Sequence, residues 1–510
     1  MNKIYNLLEA KKLIQNIKNN KNNKKIIIGL CHGVFDLMHI GHIKHFQKAK
    51  KLCDFLVISV TSDRFVQKGT GRPVFFQKSR MESLAALECV DAVILSDKQT
   101  SEQMIRDIKP DVYFKGFDYK NNETDISGKI KIESALVKKY GGKTIYTNEE
   151  TSSSSFLINT YSNFFNDEQK EYLKNFKKKF SFNQINRYFE KIKKIKVLVI
   201  GETIIDEYIY SEALGKSGKE SYLAIKELSG EYQLGGAAAI AKHLSAFCNK
   251  VNLLSMVGQK KEHISFIKKK LGNKIKKNFI YKKDSPTILK RRYLDFINKN
   301  KLLGVYNIND QELNEQQNKI LIKKYKSLIK KSDLVIISDY GHGFINKKFI
   351  KVIEKKNNFI YLNAQINAGN VGYHSIRNYK KINCLIINET ELRHEMRDKV
   401  SDVVFLAKQL QNKINVKKII ITRGKLGAIM IDKKNKKVLN CPAFAQNVVD
   451  KVGAGDTMLA VICLFLQSRA NDNLSLFMGS LAGSVSVGIM GNSAHLRKET
   501  FIKQVETTLK

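Results

Sequence analysis

The stretch Ile26-Ile27-Ile28-Gly29-Leu30-Cys31-His32-Gly33-Val34-Phe35-Asp36-Leu37-Met38-His39-Ile40-Gly41-His42 decides how the first part of this chain is read. A short β-branched run ends near Leu30, and an apolar-periodic stretch begins at His39, so a strand feeds a turn and then a helix. Two histidines three apart at a helix start converge on one spot, together with that helix's unpaired N–H groups. Such a spot suits a triphosphate under attack at its α-phosphorus, because the donors stabilise charge developing on the bridging oxygens. His39 and His42 are therefore candidate catalytic residues.

Outward from this turn, β runs alternate with helical patterns from Lys25 to Thr147. Further strands are expected at Phe55 to Val60, Ala92 to Leu95, Val112 to Phe114 and Thr144 to Tyr146, with helices at Gln77 to Glu88 and Ser101 to Ile108. Continuous β-branched runs separated by helices imply a parallel sheet covered on both faces, with ligands beyond the carboxyl ends of the strands. Two other features belong to that edge. Lys68 lies in the loop Gln67-Lys68-Gly69-Thr70-Gly71-Arg72, where a cation can reach β- and γ-phosphates, and Arg80 lies at a helix start. Ser152 to Ser155 precede Phe156-Leu157-Ile158, so their hydroxyls and N–H groups suit either an anion or a simple N-cap.

Residues 161–195 change character, with a polar Lys-rich stretch followed by an amphipathic one, and are read as a helical linker. A second α/β alternation starts at Val197-Leu198-Val199-Ile200-Gly201, with strands expected at Leu334 to Ser338, Phe359 to Leu362, Cys384 to Ile387 and Ile419 to Thr422. Glu207 to Leu234 and Ile288 to Ile308 mix polar and apolar residues without helical period, as a small β flap would. Val452-Gly453-Ala454-Gly455-Asp456-Thr457 opens an apolar helix. Its small residues let the backbone approach a phosphoryl group, and Asp456 can take the proton of an attacking hydroxyl. Asn388 and Glu391 stand three apart at a strand end, suited to Mg²⁺ through water. Thr422-Arg423-Gly424-Lys425-Leu426-Gly427 follows another strand, and Gly235-Gly236 precedes a helix near the flap.

Composition bounds the rest. The 510 residues are enough for two or three domains, and 43% hydrophobic content supports ordinary cores. The net charge of +41 is spread over dispersed lysines, so no specific nucleic-acid role is expected. Seven cysteines show no CxxC pair and read as small core hydrophobes in a reducing compartment. Met1 to Lys25 lacks the apolar core of a signal peptide, and no apolar run is long enough to span a membrane. A cytoplasmic protein is expected.

Two resemblances follow. Nearly all of residues 25–160, within a domain spanning 1–160, resemble the cytidylyl- and adenylyltransferase superfamily, through Gly33 to His42, Gly71-Arg72-Pro73-Val74, Arg80 with Leu84, Ala86-Leu87-Glu88 with Val90-Asp91, Lys115-Gly116-Phe117-Asp118-Tyr119 and Ser153-Ser154-Ser155. The resemblance implies a Rossmann-like nucleotidyltransferase domain. In it His39, His42 and Lys68 act on the phosphates, and Gly33, Phe35, Arg80, Ser153, Ser154 and Ser155 bind the nucleotide, ATP or CTP. Asp118 binds the second substrate. Residues 196–510 resemble the ribokinase/PfkB carbohydrate kinases, which implies a ribokinase-like α/β domain with a small β flap. Asp456 is then the catalytic base, Gly453, Ala454 and Gly455 the anion hole, and Thr422, Gly424 and Gly427 contacts to ATP. Asp206, Gly235 and Gly236 would bind the sugar, and Asn388 and Glu391 would act on Mg²⁺.

Together the halves resemble bifunctional heptose-7-phosphate kinase/heptose-1-phosphate adenylyltransferases with the domain order reversed, which implies sugar phosphates and nucleotides as partners and a homodimer. The chain departs from that pattern at Glu202 (usually Asp), Ala239 (Asn in the heptose kinases) and Asn363-Ala364-Gln365 (Asp-Pro-Lys). Those departures leave a second reading, in which the kinase-like half is a silent binding or assembly module.

Overall fold

In a computed structural model of the chain, the described residues are 3–19, 26–66, 68–69, 71–98, 100–116, 129–147, 154–162, 164–355, 359–366 and 369–510. They form two compact units, Met1–Asn166 with Ile502–Lys510, and Asp167–Phe501.

The first unit is built on six parallel strands: β1 (Ile4–Tyr5), β2 (Ile28–Gly33), β3 (Phe55–Thr61), β4 (Ala92–Ser96), β5 (Val112–Gly116) and β6 (Lys143–Thr147), in the order β1-β4-β3-β2-β5-β6. Alternate strand residues feed two cores. Cys31, Leu56, Ile58 and Val60 pack with Phe46, Met81 and Leu84 on one face. Ile28, Leu30, Val57 and Ile94 pack with Ala10, Ile14, Ile105 and Val137 on the other. Burial on both faces is why these strands read as near-continuous apolar runs. Reversal of strand order on either side of β2 creates a switch point at its carboxyl end, where the His39 turn lies. Only β1, at two residues, was too short to read from the sequence.

The second unit has a main sheet in the order β10-β9-β7-β13-β14-β15-β16-β17-β18. Its strands are β7 (Lys196–Lys216), β9 (Lys250–Gly258), β10 (Ile275–Lys282), β13 (Leu334–Asp339), β14 (Phe359–Ala364), β15 (Cys384–Asn388), β16 (Lys418–Thr422), β17 (Ala428–Asp432) and β18 (Val438–Cys441). Pairing is parallel from β10 to β16 and antiparallel through β17 and β18. The expected flap is present. β7 runs on beyond the sheet and pairs with β8 (Leu223–Gly235) and β11 (Ile288–Asp295), and β11 pairs with β12 (Lys301–Asn307).

The stretch read as a linker differs. Its two helices, Asp167–Lys177 and Phe182–Lys193, belong to the second unit. Phe176 packs tilted against Phe477 with centroids 4.3 Å apart, and Phe189 meets Phe465 edge-on at 5.5 Å. Their apolar faces are buried in that unit, so the segment is core-forming. At the other end of the chain, residues from Ile502 on group with the first unit although the sequence reading ran the second domain to 510.

Candidate functional site

In the first unit the helix Ile40–Lys50 is N-capped by His39, whose Nδ1 accepts the Gly41 N–H at 3.1 Å. That bond leaves the proton on Nε2, which is buried and has no hydrogen-bond partner among the described residues; Nδ1 of His42 is likewise unpartnered. The two rings lie 4.0 Å apart. Burial holds both imidazoles below their ordinary pKa, aided by the Lys68 charge, and takes His42 to about 3. Both are thus neutral at pH 7, and His39 can act through Nε2 as an N–H donor towards a phosphate, with the His42 ring beside it held by a hydrogen bond to the Leu37 backbone. Phe35 closes the floor in a left-handed conformation (φ 51°) with its ring edge-on to His42 at 5.4 Å. A Cβ on Gly33 would come within 2.8 Å of that ring, so any larger residue there would push the Phe35 ring aside.

Lys68 is partly buried near Asp36 and Arg72, and desolvation lowers its pKa to about 8. Arg80 departs from its expected phosphate contact. Its guanidinium is buried and donates to the carbonyls of Phe75 (2.9 Å), Thr61 (2.8 Å) and Val34 and to Asp63 (2.6 Å), so it braces the loop. Ser154 Oγ donates to the Leu37 carbonyl at 3.1 Å, tying the helix Ser154–Tyr161 to the histidine turn, and Ser155 is buried beside it. Asp118 and Ser153 lie outside the described residues.

In the second unit the carboxyl ends of β7, β13, β14, β15 and β16 converge as parallel strands require. Asp456 stands in the first turn of the helix Ala454–Gln467, behind Gly453 (φ 83°). The first N–H groups of that helix, including those of Ala454 and Gly455, have no acceptor within it and can receive an anion. A Cβ on Gly453 would lie 2.1 Å from Asn492 Oδ1. Tyr340 donates its hydroxyl to Asp456 Oδ1 at 3.0 Å. Burial raises the Asp456 carboxyl to about 7, with the Asp206 charge pushing the same way and Lys290 opposing. Asp206 Oδ1 accepts Arg292 Nη1 at 2.6 Å, and a Cβ on Gly235 would lie 2.3 Å from Asp206 Oδ2. Gly236 is left-handed (φ 59°) and starts the next helix.

Glu202, the residue that departs from Asp, accepts the backbone N–H groups of Tyr340 (3.1 Å) and His342 (3.2 Å). Its longer side chain thereby holds the turn that carries Tyr340. Ala239 is buried in its helix, and Asn363 donates to the Ile386 carbonyl at 2.9 Å. Thr422 ends β16, and Gly424 (φ 56°) and Gly427 (φ 78°) shape the turn beyond it.

Asn388 and Glu391 form a reciprocal capping box. The Asn388 N–H donates to Glu391 Oε2 and the Glu391 N–H donates to Asn388 Oδ1, both at 2.8 Å. The Glu391 carboxylate also takes a backbone hydrogen bond from Ile366, and burial raises it to about 7. Among the described residues no three His, Cys, Asp or Glu side chains gather around one point. The capping box engages Asn388 Oδ1 and Glu391 Oε2, so contact with a metal through water is the form this geometry suits.

The sequence reading missed Lys290 and Arg292, which the β7–β11 register sets opposite Asp206 and Tyr208. Lys290 is 6% exposed, and its Nζ donates no hydrogen bond among the described residues. Its ammonium group lies 5.9 Å from the Tyr340 ring and acts on the Asp456 charge. Period-two alternation of Ile288, Lys290 and Arg292 was the available signal.

Comparison with known proteins identifies a family for each half. The family described as pfkB family carbohydrate kinase matches residues 194–498, and the family described as Cytidylyltransferase-like matches residues 30–160. The chain is 40% identical over 126 residues to the bifunctional protein HldE of a Nitratiruptor species, an alignment covering 24% of this chain and 27% of that protein. It is 25% identical over 330 residues to the bifunctional protein HldE of Haemophilus influenzae, covering 62% of this chain and 66% of that one. The chain thus spans between about a quarter and two thirds of these relatives' length. Phosphofructokinase-2 of Escherichia coli shares the fold, with 15% identity and a TM-score of 0.50 over 62% of this chain and 99% of that chain. Both families use ATP and typically Mg²⁺. The chain belongs to the pfkB carbohydrate kinase family and carries a cytidylyltransferase-like domain ahead of the kinase fold, the reverse of the HldE order.

Proposed function

We propose that this chain is a bifunctional enzyme of activated-sugar synthesis. In the first unit a phosphate oxygen of a sugar 1-phosphate or polyol phosphate attacks the α-phosphorus of ATP or CTP. The bond to the bridging oxygen breaks and pyrophosphate leaves. His39 donates to the phosphate oxygens as charge grows there, with the His42 ring beside it, and Lys68 neutralises the departing β- and γ-phosphates. Ser154, Ser155 and the undescribed Ser153 hold the triphosphate, and Asp118 takes part in holding the sugar phosphate.

In the second unit a sugar hydroxyl attacks the γ-phosphorus of ATP. Its proton passes to Asp456, and ADP leaves while Gly453, Ala454 and Gly455 offer N–H groups to the moving phosphoryl group. Asp206 orients the sugar, and Thr422, Gly424 and Gly427 cover the nucleotide. Magnesium carried by ATP would offset phosphate charge, with Asn388 and Glu391 reaching it through water. The buried ammonium group of Lys290, which lies over the Tyr306 and Tyr340 rings at 5.6 and 5.9 Å, supports an anionic substrate, so sugar phosphates, heptose phosphates among them, come first. Exposed apolar residues of the flap support a homodimer, and a cytoplasmic location fits the reduced cysteines.

The observation that carries the proposal is the Asp456 carboxylate in the first turn of the helix Ala454–Gln467, where it accepts the Tyr340 hydroxyl at 3.0 Å and burial raises it to about 7. A silent module has no need of a base so poised. Purified full-length protein should release pyrophosphate from ATP or CTP and form ADP when crossed with a panel of sugars and sugar phosphates. Asp456→Asn should lower ADP formation by about 10²–10⁴-fold and spare pyrophosphate release. His42→Ala should do the reverse. Joint loss of both activities in either variant would refute two independent sites.

A further inference from the structure

We propose that Ile502–Lys510 are a working part of the nucleotidyl-transfer site, positioning Lys68–Gly69 and the segment Arg72–Phe75 through Asn159. The inference rests on the nucleotidyltransferase reading of the first unit.

Three independent contacts carry it. First, Asn159 is 7% exposed and bridges two elements. Its Nδ2 donates to the Thr507 carbonyl at 2.7 Å, while its Oδ1 accepts Arg72 Nη2 at 3.0 Å. Thr507 belongs to the helix Lys498–Leu509. Asn159 therefore joins that helix to a guanidinium. Flipping the amide would set oxygen against carbonyl and NH₂ against guanidinium, so the orientation is determined.

From Arg72 the connection continues to the catalytic turn. Arg72 Nη1 lies 3.5 Å from Asp36 Oδ2, and Asp36 Oδ1 accepts the N–H groups of Val74 (2.7 Å) and Phe75 (3.0 Å). Asp36 belongs to the same turn as His39. Second, Gln504 covers the Lys68–Gly69 turn: a Cβ on Gly69 (φ 103°) would lie 3.0 Å from Gln504 Cγ. Third, Glu506 and Lys510 pair at 2.7 Å, and both charges act on Lys68, alongside Asp36 and Arg72. A helix end docked only for burial would bring apolar side chains to this loop. Gln504, Glu506, Thr507 and Lys510 bring polar groups instead.

The test uses full-length protein. Asn159→Asp keeps an acceptor for Arg72 and removes the donor to Thr507. Hydrogen exchange at the Val74 and Phe75 amides should accelerate about fivefold to tenfold, the equivalent of one lost hydrogen bond. KM for the nucleoside triphosphate in pyrophosphate release should rise by a similar factor, with ADP formation in the second unit unchanged. A pH profile separates positioning from general weakening. Lys68 acts as a cation, so activity falls as pH rises through its pKa of about 8. Glu506→Gln removes a charge that raises this pKa and should move the alkaline limb down; Lys510→Gln should move it up. Unchanged exchange at Val74 and Phe75 in Asn159→Asp would overturn the proposal whether or not the wild type transfers nucleotides. Shifts of the limb in one common direction would overturn it too. Absence of pyrophosphate release by the wild type, with exchange accelerated as expected, would instead fail the nucleotidyltransferase reading alone.

Discussion

Asp456 costs the fold something, and the sign of that cost can be worked out. Its carboxyl is raised from 3.8 to about 7, chiefly by burial. A group whose pKa is raised on folding contributes stability that is fully present below its unfolded pKa and is lost as pH rises through the folded value. The parent protein therefore loses stability between about pH 4 and 7 on account of this residue, whereas asparagine titrates nowhere. The Tm advantage of Asp456→Asn over the parent should grow across that window and level off above it, as scanning calorimetry at several pH values will show. A constant offset at all pH values would contradict the argument. The activity and the instability share one origin, a half-buried carboxylate beside the Tyr340 hydroxyl and near the Asp206 charge.

At the scale of elements, the helix Glu389–Met396 separates a cap from a metal contact. Asn388→Ala removes one half of the capping box and should cost about 1 kcal/mol in denaturant unfolding. Glu391→Gln keeps the cap, since the amide oxygen still accepts the Asn388 N–H, but removes the charge. If Glu391 meets magnesium through water, this variant should raise the Mg²⁺ concentration needed for half-maximal ADP formation while leaving stability near the parent value. The helices at 167–193 make the opposite point. Phe189 is 1% exposed against Phe465, so Phe189→Ala should destabilise the second unit by about 3–5 kcal/mol, far more than a tether would show. Helical periodicity was legible in that stretch. Its partner surface, Phe465 and Phe477 nearly three hundred residues on, was not, because periodicity says which face is apolar and not what covers it.

For the molecule as a whole, the flap leaves apolar residues in water: Ile297 is 89% exposed, Leu214 62% and Leu303 55%. Patches of that kind mark interaction surfaces. If the homodimer forms through this face, Leu303→Asp should shift sedimentation towards the monomer, and wild-type mass should fall on dilution; a monomer at all concentrations would exclude it. No helix among the described residues is long and apolar enough to cross a membrane, and the seven cysteines are all free.

Sequence alone determined the two α/β units, most of their strands and the turns bearing His39, His42, Asp456 and Asn388. These are local: a strand, a small-residue turn and a helix start within a few residues of one another carry their own signal. Tertiary structure alone decided what surrounds them. Lys290 meets Asp206 through the register of two strands more than eighty residues apart, and Arg80 turns inward because four acceptors from three segments converge on it. Ile502–Lys510 group with the first unit, where Asn159 donates to the Thr507 carbonyl and Gln504 lies against Gly69. Local pattern places the chemistry at a strand end, but hydrogen-bond satisfaction over long separations decides which side chains are free to use it.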